Sequence, residues 1–92
     1  MNNRNFCNLG SHLKEKRISA GYTQSELAEK VKVNVQFVSN WERGFCAPPS
    51  HCFQAVLDML KADRVQVVEV MLQDTKIQIE AKIIGTKQLK AG

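Results

Sequence analysis

The chain has 92 residues, 43% of them hydrophobic, with a net charge of +4. That size supports one domain with a modest core, and the apolar fraction argues against wholesale disorder. No apolar run approaches the roughly 18 residues of a membrane span. MNNRNFCNLG has no apolar stretch after Arg4, so the expectation is a cytosolic chain without a secretory signal.

In chain order, the Asn-rich residues 1–8 read as a mobile arm, and a first helix is expected from about Leu9 to Ala20. Leu9 and Leu13 share a face, and Gly21 supplies the left-handed stop. Thr23 is an N-cap, and Glu26 completes a capping box. Leu27, Ala28 and Val31 then form the buried stripe of a second helix.

Lys32-Val33-Asn34 makes a turn, and Asn34 can cap a third helix over roughly Val35 to Arg43. Gly44 ends it, and Pro48-Pro49 forbids continuation. Ser50 is read as the cap of a fourth helix, with Phe53, Val56, Leu57 and Leu60 on one face. Beyond Asp63 two patterns compete. Val65, Val68 and Leu72 suit a helix over about 63–73. Ile77, Ile79, Ala81 and Ile83 alternate with polar residues as in a half-buried strand over about 76–84. A single long helix through 82 competes with that division.

Residues 1–49 carry seven Lys/Arg against four Asp/Glu, whereas residues 50–92 carry six against five. The excess of positive charge in the first half suits a polyanion. Cys7, Cys46 and Cys52 cannot all pair, which argues against a disulfide scaffold. Cys46, His51 and Cys52 lack zinc-ligand spacing, so no metal is assigned and the thiols read as small buried hydrophobes. His12 and His51 read as surface or loop residues. No Ser/His/Asp set, carboxylate pair or phosphate loop appears; the chain reads as a non-enzyme needing no cofactor.

The stretch from Thr23 to Pro49 carries the functional signal. Ala28 is small enough to let two helices approach, and Leu27, Val31, Val33, Val38 and Trp41 clamp them from beneath. Gln36, Ser39 and Asn40 leave the outer face of the third helix polar but uncharged, and Gln and Asn can bond adenine bidentately. Gln24, Leu27-Ala28, Val38-Ser39-Asn40-Trp41-Glu42-Arg43-Gly44 and the following Pro49-Ser50 resemble the helix-turn-helix of the phage repressor and Cro (Xre) family. The resemblance covers about Leu9 to Ala62.

The resemblance implies a mainly α fold, a five-helix repressor-like bundle whose third helix reads DNA; here a C-terminal β-strand or helix extension follows. It implies that Val35, Gln36, Ser39 and Asn40 read or flank bases, with Phe37 packing on a thymine methyl or covering the motif's edge. Gln24 and Arg43 match phosphate contacts, and Arg17 and Glu42 match a structural salt bridge. Lys14 is added as a phosphate contact; Arg4, Lys16 and Lys30 give at most general attraction. Two positions depart from the pattern. Lys32 stands where glycine is usual, which asks for a left-handed backbone at roughly 1 kcal/mol. Val35 replaces a polar residue.

The expected organisation is a mobile arm (1–8), a helix-turn-helix domain (9–73) and an extension (74–92). The tail's apolar residues either finish the core or form a dimer interface through Val65, Val68, Leu72, Ile77, Ile79 and Ile83. The second reading is favoured, because one motif reads only a half-site. The expected function is a homodimeric regulator bound to double-stranded DNA, acting on a near-palindromic operator, most simply as a repressor. The alternative is an antitoxin whose tail binds a partner protein.

Overall fold

Five helices follow one another in the computed structural model, which describes residues 4–83 and contains no strand among them. They are α1 (Cys7–Ala20), α2 (Gln24–Val31), α3 (Val35–Glu42), α4 (Ser50–Leu60) and α5 (Arg64–Ile83). Local chemistry sets most of their ends. Gly21 takes φ 84° and caps α1 through its own amide. The Thr23 side chain accepts from the Glu26 amide while Glu26 reaches back to the Thr23 amide, closing the capping box. Asn34 accepts from the Gln36 amide at 2.8 Å.

Lys32 does adopt the left-handed conformation, φ 63°, that its position demands. Lys61 adopts it as well, φ 53°, at the end of α4. The cap of α4 is Pro49 and not Ser50. Ser50 is the first helical residue and no side chain caps this end. A proline carbonyl there accepts the amides of Cys52 and Phe53, so the turn closes without a hydroxyl.

The core joins Leu9 and Leu13 of α1, Leu27, Ala28 and Val31 of α2, and Val38 and Trp41 of α3. Cys52, Val56, Leu57 and Leu60 of α4 and Val67 of α5 complete it. Trp41 is 2% exposed, a packing residue and not a stacking surface. Helix α1 packs on α3, α4 and α5, and α2 packs on α3 and α4. Gly10 permits the closest approach, since a Cβ there would lie 2.5 Å from the Trp41 carbonyl oxygen and 2.6 Å from that of Glu42. No side chain fits.

Several expectations are corrected. Helix α1 begins at Cys7, so residues 7 and 8 are not part of an arm; residues 1–3 of that arm lie outside the described residues. The start of α1 is held from far away. Asp74, 4% exposed, accepts the Asn8 and Leu9 amides at 2.9 Å each, capping α1 from α5. Gln78 adds a bond to the Asn5 carbonyl at 2.9 Å.

The expected strand over 76–84 is helix up to Ile83, the last described residue. At 3.6 residues per turn, Val67, Val70, Met71 and Asp74 form one face of α5, and Val65, Val68, Leu72, Ile79 and Ile83 form another within an arc of about 60°. Two interleaved apolar faces imitate alternation along the sequence. Only Cys52 is a buried thiol; Cys7 and Cys46 are exposed. His12 is half-buried, its Nε2 without a hydrogen-bond partner, and not a surface residue.

Candidate nucleic-acid interface

The turn between α2 and α3 sets the geometry. The Val33 amide donates to the Ala28 carbonyl at 2.9 Å, which fixes α3 across α2. Val38 and Trp41 anchor the inner face of α3 in the core. Its outer face is therefore rigidly presented. Gln36 is exposed there with Ser39 and Asn40 half-buried beside it; Val35 and Phe37, also exposed, lie on opposite flanks of the helix, and Phe37 lines a hollow with Val33, Cys46 and Pro49. Gln36 Nε2 donates to Asn40 Oδ1 at 3.3 Å, so the two amides lie along one edge, one turn apart. Of the residues expected from the sequence to read bases, Gln36, Ser39 and Asn40 share the outer face of α3, and Val35 and Phe37 border it.

The start of α2 offers a second feature. Thr23 satisfies the Glu26 amide, and the Leu27 amide bonds the Thr23 carbonyl, leaving the Gln24 and Ser25 amides, the first two of the helix, without an intrahelical acceptor. Such a terminus attracts anions through its orphan donors and the helix dipole. Gln24 itself is half-buried, and its Nε2 donates to Glu42 Oε1 at 2.9 Å.

Arg17 and Glu42 form the expected salt bridge. Arg17 Nε lies 2.6 Å from Glu42 Oε2 and Nη2 lies 3.1 Å from Oε1, while Nη1 donates to the Tyr22 carbonyl at 2.7 Å. The side chains are 10% and 3% exposed. This cluster ties α1, the start of α2 and the end of α3 together, so it fixes the angle between the two motif helices. Arg43, the cap of α3, is exposed next to it. Lys14 is exposed on α1, with no ion pair among the described residues.

On α5, Val65, Val68, Leu72, Ile79 and Ile83 stand exposed in their single stripe. Ile77 is also exposed, but lies roughly 150° around the helix from that stripe. It lines a hollow with Arg4, Asn5, Cys7, Asp74 and Gln78. Among the described residues no three His, Cys, Asp or Glu side chains gather as a metal site, and no helix is long and apolar enough to cross a membrane.

Arg4 and Phe45 were not singled out as interface residues by the sequence. Arg4 and Arg43 both lie over the Phe45 ring, at 5.2 and 4.9 Å from its centroid. An arginine pair separated by most of the motif carries no local spacing signal.

Comparison with known families matches residues 13–51 to the family described as Helix-turn-helix. The HTH-type transcriptional regulator ImmR of Bacillus subtilis (strain 168) is 50% identical over 40 residues, 44% of this chain and 32% of that protein. The chain thus spans about a third of that regulator's length. No solved structure matches significantly. Residues 13–51, from the middle of α1 into the start of α4, are an Xre-type helix-turn-helix.

Proposed function

We propose that the chain is a sequence-specific double-stranded DNA-binding transcriptional regulator that acts as a homodimer on a near-palindromic operator and represses by blocking polymerase. The observation that carries this reading is the outer face of α3, where Gln36 and Asn40 stand paired, bordered on its two sides by exposed Val35 and Phe37, on a helix locked into the core. Amide side chains on such a face suit adenine, and an apolar residue at its border suits a thymine methyl group. The open amides of α2 and exposed Arg43 suit phosphates, which set register without selecting sequence. Similarity to a protein named as a transcriptional regulator supports the same reading.

The α5 stripe supports the dimer. It runs about 27 Å along the helix on the side opposite the core-facing residues. Glu69 and Lys76 flank it on one side, so two antiparallel copies would place each glutamate beside the other copy's lysine. Paired half-sites about 34 Å apart give such proteins their specificity.

Asn40→Ala is expected to weaken binding to the selected operator by about 1–3 kcal/mol and to leave random-sequence binding nearly intact. Equal losses on both would remove base reading. Leu72→Asp, at an exposed position, should turn a dimer into a folded monomer in sedimentation equilibrium. A monomeric wild type would instead assign the stripe to another protein, as in an antitoxin.

A further inference from the structure

Just before α1 the chain is fastened to the loop that follows α3. The Phe6 amide donates to the Gly44 carbonyl at 3.0 Å. Gly44 takes φ 84°, and a Cβ there would lie 2.9 Å from Cys7 Cα, so the two segments touch backbone to backbone. That fastening brings Arg4 over the Phe45 ring on which Arg43 also rests. The two guanidiniums are held near one another, separated by no more than the two ring distances combined.

Among the described residues neither forms an ion pair, and Asp74, which shares a hollow with Arg4, is taken up by the Asn8 and Leu9 amides. The ion pairs among the described residues are Arg17–Glu42 and Arg64–Asp58. Glu42, the acidic group nearest in sequence to Arg43, is already bonded by Arg17 and Gln24. An aromatic face orients a guanidinium without neutralising it. The negative end of the α3 dipole accounts for one cation, Arg43, at its C-cap. A second, brought in by the segment just before α1, leaves a positive charge in excess at that spot.

We propose that Arg4 and Arg43 form a two-pronged clamp on the DNA backbone, each guanidinium taking one of two neighbouring phosphates, with Phe45 as the spacer between them. The clamp rests on the DNA-binding reading above and adds a contact from outside the helix-turn-helix. Guanidinium forks match phosphate oxygens better than point-charge ammonium groups do. Placed one residue past α3, the clamp fixes where along the groove that helix sits.

The test measures affinity of the full chain for a mixed-sequence duplex of about 30 base pairs as salt rises from about 50 to 200 mM. Arg4→Gln should reduce the salt slope by about 0.9 and lower affinity at 0.1 M salt roughly eightfold, whatever the DNA sequence. Arg4→Lys should restore the slope. Phe45→Leu keeps both charges and should keep the slope while weakening binding, because the two heads lose their fixed spacing. Thermal melting by circular dichroism confirms that each variant is folded. A folded Arg4→Gln with wild-type slope and affinity overturns the clamp alone, leaving Arg4 as a companion to the α3 terminus. A wild-type chain with no salt-dependent binding to any duplex overturns the DNA-binding reading together with the clamp.

Discussion

Glu42→Ala is the substitution whose cost the structure specifies best. It removes a carboxylate whose side chain is 3% exposed and which accepts three bonds, from Arg17 Nε at 2.6 Å, Arg17 Nη2 at 3.1 Å and Gln24 Nε2 at 2.9 Å. Arg17 is left with one partner, the Tyr22 carbonyl, and a side chain 10% exposed. Stranding one charge of a buried pair costs about 3–5 kcal/mol. A domain of this size has roughly 5–14 kcal/mol in total. At roughly 4–8 °C per kcal/mol, the melting temperature should fall by at least about 12 °C.

The companion variant removes both charges. Arg17→Met with Glu42→Leu leaves no orphan and should lose less than half as much, because apolar pairs often replace buried ion pairs at little cost. Urea unfolding followed by circular dichroism measures both, with a shifted midpoint and unchanged slope marking a pure stability effect. A Glu42→Ala protein melting within about 5 °C of wild type would show that Arg17 is not a stranded buried charge. So would a double variant no more stable than the single one.

Asp74→Ala should cost about 1–2 kcal/mol by uncapping α1, and hydrogen exchange should accelerate at the Asn8 and Leu9 amides before the rest of the core. Lys32→Gly and Lys61→Gly relieve left-handed strain, and each should raise stability by about 0.5 kcal/mol after the extra freedom of unfolded glycine is offset. Native alkylation should modify Cys7 and Cys46 rapidly and Cys52 only on unfolding. Burial pushes the Cys52 thiol up, so the neutral form is favoured in the fold. That stability is fully present below the ordinary thiol value and is lost as pH rises from there through the raised value of the buried thiol.

What the sequence disclosed was mostly short-range. Thr23 with Glu26, Asn34 and Gly21 act within one helical turn, and each behaves in the structure as its local chemistry requires. The spacing of Val38 and Trp41 likewise exposed the inner face of α3, and with it the outer one. Long-range pairings left no such trace. Asp74 reads as an ordinary charged residue until α1 and α5 are packed, and then it becomes the cap of α1. Gly10 shows no turn pattern, because what it admits is the backbone of α3. Helix α5 was obscured for another reason. Its two apolar faces overlap in sequence, and the alternation of Ile77, Ile79, Ala81 and Ile83 is the sum of both.

Whether α3 reads base sequence as one half of a symmetric pair is decided by selecting bound duplexes from a fully randomised pool. Enrichment of an inverted repeat with half-site centres about 34 Å apart is expected, with loss of preference at one position of each half-site for Asn40→Ala. Recovery of duplexes with no shared sequence, bound as tightly as the starting pool, would contradict base reading by α3.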